Sequence, residues 1–186
     1  MSDRPPRPRS WSRAELGFTP QRAVDWFSPR ALTGAALRVL LSGMFGAYAD
    51  KREVQAALPA GAPVDLSDRA ELWIDYVADL GDGFAATYTM ASLLAEPKLD
   101  LGVPGQPSLA TRRGDVLVMG GDQVYPTASI ARYADRLVGP YRAALPWTEA
   151  DHPRLFAVPG NHDWYDGLTA FMRVFCQPGW IGGRTT

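Results

Sequence analysis

The sequence predicts an α/β domain on a largely parallel sheet, and three observations support this. Short apolar runs at residues 72–80 (LWIDYVADL), 116–119 (VLVM) and 155–158 (LFAV) read as buried strands. Each run ends in a polar loop containing glycine. Each loop then leads into a segment with apolar residues at helical spacing, so strand, loop and helix repeat three times.

Composition sets the outer limits. The chain has 186 residues, 46% of them hydrophobic, with a formal net charge of -1. That is enough apolar content for a core and too little basic charge for a nucleic-acid-coating protein. One Cys excludes an internal disulfide framework and a Cys-rich zinc site. Only two His are present, His152 and His162, and Asn161 is the only Asn.

The elements follow in order. Residues 1–18 are rich in Pro and Arg and read as a disordered tail. Residues 19–66 read as a helical N-terminal segment and linker. Thr19-Pro20 resembles a helix start, Leu37, Leu40, Leu41, Met44, Phe45 and Tyr48 recur at helical spacing, and LPAGAPVDL supplies the linker. Residues 67–186 form the α/β domain. After the first strand, Phe84, Tyr88 and Ala91 mark a helix, and residues 96–114 read as a loop without a clear element. Ile130, Tyr133, Ala134 and Leu137 mark a helix expected to stop near Gly139-Pro140. Leu168, Phe171, Met172 and Phe175 give the apolar face of a last helix. No secretory h-region follows the basic start, and no apolar stretch reaches the ~20 residues that span a bilayer. A cytoplasmic location is expected, with no transmembrane segment and no nucleic-acid-binding signature.

The chemistry is expected where the strands end. In open α/β sheets, ligands bind beyond the carboxyl ends of the strands. Asp79 in ADLGDG, Asp122 in GGDQVYP and Asn161 in PGNHD all fall there. Three oxygen ligands on one edge suit a hard or borderline divalent cation, and the adjoining glycines allow sharp turns and close approach.

The ordered series D-x-G, GD-x-x-Y, GNHD resembles the first three motifs of the calcineurin-like metallophosphoesterase superfamily, most closely its purple-acid-phosphatase-like pattern. The resemblance covers roughly residues 70–170. It implies the first half of an α/β/β/α sandwich and hydrolysis of a phosphomonoester or phosphodiester by a metal-bound hydroxide. It assigns Asp79 to a first metal, Asp122 to a bridge between two metals and Asn161 to the second. Gly81 stands where many members have a His ligand, and Tyr125 stands where D-x-G members have a Tyr ligand. The implied cofactors are two metal ions, Mn, Fe or Zn; a hard phenolate also suits Fe(III), which makes an Fe(III)–M(II) pair the secondary assignment. His162 would act at the leaving-group oxygen and Asp163 would orient its ring.

The family completes its site with three later His residues, and none follows residue 162 in this sequence. The expectation is an incomplete portion of the domain, inactive or poorly soluble by itself, with the apolar face of its sheet uncovered. A non-catalytic α/β binding or interaction module is the alternative. Outside the motifs, Asp75, Asp82 and Asp166 are expected to be solvated or capping, His152 to lie in an exposed loop and Cys176 to pack beside Phe175. The six Trp show no stacking pattern.

Overall fold

The computed structural model describes residues 17–29, 32–34, 36–37, 40–41, 62–102, 104–105, 107–145 and 152–186. In chain order the elements are β1 (Ile74–Val77), α1 (Phe84–Leu93), β2 (Lys98–Leu101), β3 (Leu109–Arg112), β4 (Val116–Met119) and α2 (Ile130–Tyr133). A π-helical turn (Ala134–Val138) then runs into α3 (Gly139–Ala144). There follow β5 (Arg154–Ala157), a 3-10 turn (Asn161–Asp166), α4 (Thr169–Phe175), β6 (Trp180–Ile181) and β7 (Arg184–Thr185).

The result is a mixed α/β architecture around a five-stranded sheet of order β1-β4-β5-β7-β6. β1, β4, β5 and β7 pair in parallel, and β6 closes the edge antiparallel to β7. The register pairs Val77 with Met119 with Ala157, and Asp75 with Leu117 with Leu155. These residues share one face, because side chains alternate along a strand. On it, Leu117, Met119 and Leu155 are buried and pack with Tyr133, Leu137, Tyr141 and Phe171 from the helices. Burying each large apolar side chain contributes about 1.5–3 kcal/mol, so this face holds the layers together. The opposite face carries Ile74, Tyr76 and Phe156, which are 58%, 67% and 40% exposed.

Several local expectations change. Residues 19–25 are not helical. Their polar groups are bound by the domain instead: Thr19 N–H donates to the Asp135 carboxylate at 2.9 Å, and Phe84 N–H donates to the Gln21 carbonyl at 2.8 Å. Described positions between 29 and 41 are helical. Phe18, assigned by the sequence to the tail, is buried and lies 6.0 Å from the Phe84 ring. The rest of the tail (1–16), the helical expectation over 42–58 and the linker up to residue 61 lie outside the described residues.

Residues 96–114 contain a two-stranded antiparallel hairpin, β2 with β3. The helix begun at Ile130 passes through Pro140 to Ala144. The π-helical turn widens the backbone just before the proline, and Gly139 N–H bonds to the carbonyl of Ala134. A proline ring ordinarily clashes with the carbonyl four residues back, and a wider turn relieves that clash. Among the described residues, no helix is long and apolar enough to cross a membrane.

Candidate functional site

The first, second and third strands of the sequence reading are β1, β4 and β5, and they lie side by side. Their following loops therefore meet at one edge. Asp79 N–H donates to the Gly121 carbonyl and Leu80 N–H to the Asp122 carbonyl, both at 3.0 Å, which ties the first loop to the second. His162 N–H donates to Asp122 Oδ1 at 2.9 Å, which ties the third loop to the second. Gly81 N–H is held by the hydroxyl of buried Thr87 at 3.1 Å.

Both strand-end aspartates adopt left-handed backbone, with φ of 56° at Asp79 and 51° at Asp122. L-residues with a Cβ enter that region at a cost of roughly 1–2 kcal/mol. Asp tolerates it better than most, and two such residues at one sheet edge mark a place where the fold imposes side-chain position at the expense of stability. Gly81 has φ 69°, and a Cβ there would lie 2.2 Å from the Gln123 carbonyl oxygen. Gly160 sits against Asp122 itself, where a Cβ would meet Oδ1 at 2.1 Å. The loops interlock because these two positions carry no side chain.

Tyr125 completes the cluster. Its hydroxyl lies 2.9 Å from Asp79 Oδ1 and 3.2 Å from Asp122 Oδ2. Its phenol is pushed well above the ordinary tyrosine range, first by burial and then by the hydrogen bond to Asp79 and the negative charge of Asp122. The neutral phenol thus places its proton between two carboxylates. The Tyr125-Pro126 peptide is cis.

The donor set fits a hard cation, since two carboxylates and a phenol present only oxygen. Among the described residues, no group of three or more His, Cys, Asp or Glu is placed to hold a metal. A cation at this edge would therefore rest on Asp79, Asp122 and Tyr125. Asn161 is exposed at the start of the 3-10 turn, next in the chain to His162.

The two remaining site residues differ from each other. His162 is half-buried, and its Nδ1 lies 2.8 Å from the Pro126 carbonyl oxygen. A carbonyl only accepts, so Nδ1 carries a hydrogen and Nε2 is the ring atom left for proton exchange or a ligand. Asp163 does not orient that ring. Its fully buried carboxylate accepts from Gly160 N–H at 2.9 Å, from Gln123 N–H at 3.2 Å and from the Tyr133 hydroxyl. Burial raises its pKa despite these bonds. Asp163 pins the third loop to the second loop and to α2, its oxygens taken up by these donors, and the Pro126 carbonyl takes the orienting position at the imidazole.

Other residues depart from their sequence assignments. Asp82 accepts from Val24 N–H at 3.3 Å and from the Trp26 indole N–H at 3.2 Å. Trp26 lies edge-on to Tyr125, with centroids 5.4 Å apart, and edge-on to His162 at 5.9 Å. Tyr165 makes a third aromatic contact with His162 at 5.1 Å. Sequence reasoning missed Trp26, because nothing local to residue 26 indicates a partner some 56 residues onward. His152 is half-buried, not exposed, with its ring 4.5 Å from that of Trp180. Cys176 is exposed, so it does not pack into the core. Asp166 accepts from Ala170 N–H at the start of α4, the capping expected of it, whereas Asp75, inside β1, accepts from Gly114 N–H in the turn before β4. The chain matches no protein-family model, no curated protein and no solved structure.

Proposed function

We propose that the chain carries the front part of a dinuclear metallophosphoesterase site of the calcineurin-like kind, within an α/β/β/α sandwich. The observation that carries this reading is the Tyr125 hydroxyl held between the carboxylates of Asp79 and Asp122 at the ends of adjacent parallel strands. A strand-end Asp pair alone is ordinary turn chemistry. A phenol drawn onto both from the same loop as Asp122, beside a His whose Nδ1 is held by the Pro126 carbonyl, supports the assignment suggested by the D-x-G, GD-x-x-Y, GNHD series.

In this reading Asp79, Asp122, Tyr125 and Asn161 would together hold the cations. Manganese, iron or zinc ions fit such a donor set, and bound there they would supply Lewis acidity and an activated water for attack on phosphorus. The chain's own contribution is placement. The left-handed backbone at Asp79 and Asp122 aims two carboxylates at one point, and the Pro126 carbonyl holds His162 with Nε2 free to serve a departing oxygen.

The test is a calorimetric titration with Mn²⁺. Binding is expected to be weak, because two carboxylates, a phenol and an amide are a sparse ligand set, and Asp122→Asn should reduce affinity by about tenfold or more. A ferric form should show a phenolate charge-transfer colour that Tyr125→Phe removes. Absence of Mn²⁺ binding, or a ferric spectrum unchanged by Tyr125→Phe, overturns the assignment. Without the later His ligands of the family, hydrolysis of p-nitrophenyl phosphate or its bis ester by this chain should be negligible, and robust metal-dependent turnover would contradict that expectation.

A further inference from the structure

An aromatic residue from far upstream stands at the mouth of the proposed site, and the fold holds it there by several independent contacts. Phe18 is buried. The Asp135 carboxylate accepts from Thr19 N–H at 2.9 Å and from the Gln21 side-chain amide at 3.1 Å. The Gln21 carbonyl accepts from the first residue of α1, Phe84, at 2.8 Å. Asp82 then takes both Val24 N–H and the Trp26 indole N–H, while Arg136 holds the Asp82 carbonyl from the other side. Residues 17–26 therefore form a strap fastened at both ends. A side chain at the end of such a strap has little freedom left to lose when a ligand arrives.

Trp26 closes an aromatic rim. The His162 ring is contacted by Tyr125 at 4.5 Å, Tyr165 at 5.1 Å and Trp26 at 5.9 Å, and the indole remains 39% exposed. Tyr125 belongs to the carboxylate cluster, so the rim begins where the phosphorus would sit and continues past the ring that would serve the departing oxygen. A small alkyl alcohol has nothing to gain from that surface. A flat ring does, through edge or offset contact with Trp26 and Tyr165.

We propose that Trp26, latched by Asp82, is a specificity-determining wall that selects phosphoesters whose leaving group is aromatic. This rests on the metallophosphoesterase reading above, and Asp82 acts only as a positioning residue. Binding, not turnover, provides the test. Phenylphosphonate and methylphosphonate are titrated calorimetrically into the Mn²⁺-loaded chain, since neither can be hydrolysed at a P–O–C bond. Wild type should favour the phenyl compound by about tenfold, the scale of one aromatic contact set.

Trp26→Ala should bring that ratio close to one, and Trp26→Phe should keep most of it. Asp82→Ala, which releases the indole N–H, should lower it by roughly threefold, about the value of one exposed hydrogen bond. Phe27→Ala is the neighbouring control and should keep the ratio, since Phe27 is 92% exposed. If Trp26→Ala does not fold, Trp26→Phe and Asp82→Ala decide the matter. A wild-type ratio near one, or a full ratio retained by Trp26→Ala, overturns the proposal while leaving the metal reading intact. Failure of Mn²⁺ itself to bind overturns both.

Discussion

Gly160 is the residue on which the site depends most directly. A Cβ there would meet Asp122 Oδ1 at 2.1 Å and its backbone nitrogen at 2.3 Å, so Gly160→Ala must displace the Asp122 carboxylate or the third loop. Thermal melts should show a loss of about 1–3 kcal/mol, with Mn²⁺ affinity falling in parallel. Tyr133→Phe tests the support beneath. It removes the hydroxyl that donates to Asp163, and both residues are fully buried. A buried carboxylate short of one donor costs about 1–3 kcal/mol, which denaturant unfolding would report. A loss well below that would show that Gly160 and Gln123 satisfy Asp163 without help.

Among the elements, the corner that joins the β2–β3 hairpin to the parallel sheet has its own pH dependence. Asp115 takes Trp73 N–H at 3.0 Å and a two-pronged contact from Arg112 at 3.0 and 2.8 Å, with Arg69 at 3.4 Å. The Arg112 hydrogen bond and the Trp73 amide hold its carboxyl down from 3.8 to about 2. A depressed carboxyl contributes stability above its unfolded pKa and loses it as pH falls through the folded value. The contribution should therefore disappear between about pH 4 and pH 2. Asp115→Asn should be less stable than wild type at neutral pH, with the gap narrowing across that window, as acid titration of unfolding would record. The hairpin itself was not legible in the sequence. KLDL alternates over only four residues and LATR does not alternate, and neither strand buries a face, so periodicity had too little to report. VLVM in β4 was legible because three of its four residues are buried.

At the scale of the molecule, one face of the sheet is covered by helices and the other leaves several apolar side chains exposed among the described residues. Ile74, Tyr76 and Phe156 share the open side through the register Ile74 with Val116 and Tyr76 with Val118 with Phe156. Contiguous exposed apolar area of this kind favours association. The triple substitution Ile74→Thr, Tyr76→Thr and Phe156→Thr should raise solubility and lower dye binding to apolar surface. The far-UV circular dichroism should stay unchanged, since exposed positions contribute little to the fold and β-branched Thr suits a strand. Unchanged dye binding would show that the face is not an accessible apolar surface.

The sequence determined the general α/β class of the fold and which polar loops meet at one sheet edge. Apolar runs ending in glycine-flanked aspartates imply parallel strands with polar loops at one edge, because strand burial and loop solvation follow from side-chain chemistry alone. It also supplied the pairing of Asp79 and Asp122 with Tyr125 through an ordered set of motifs. Tertiary structure decided what no local pattern encodes. Residues 19–25 leave the helix suggested by Thr19-Pro20 because Asp135, Asp82 and the start of α1 satisfy their polar groups more directly than a helix would. Asp163 becomes a buried tie, and the Pro126 carbonyl sets the imidazole. Trp26 reaches the site only because the chain folds back over α1. Each of these outcomes depends on partners distant in sequence, whose proximity exists only after the sheet has assembled.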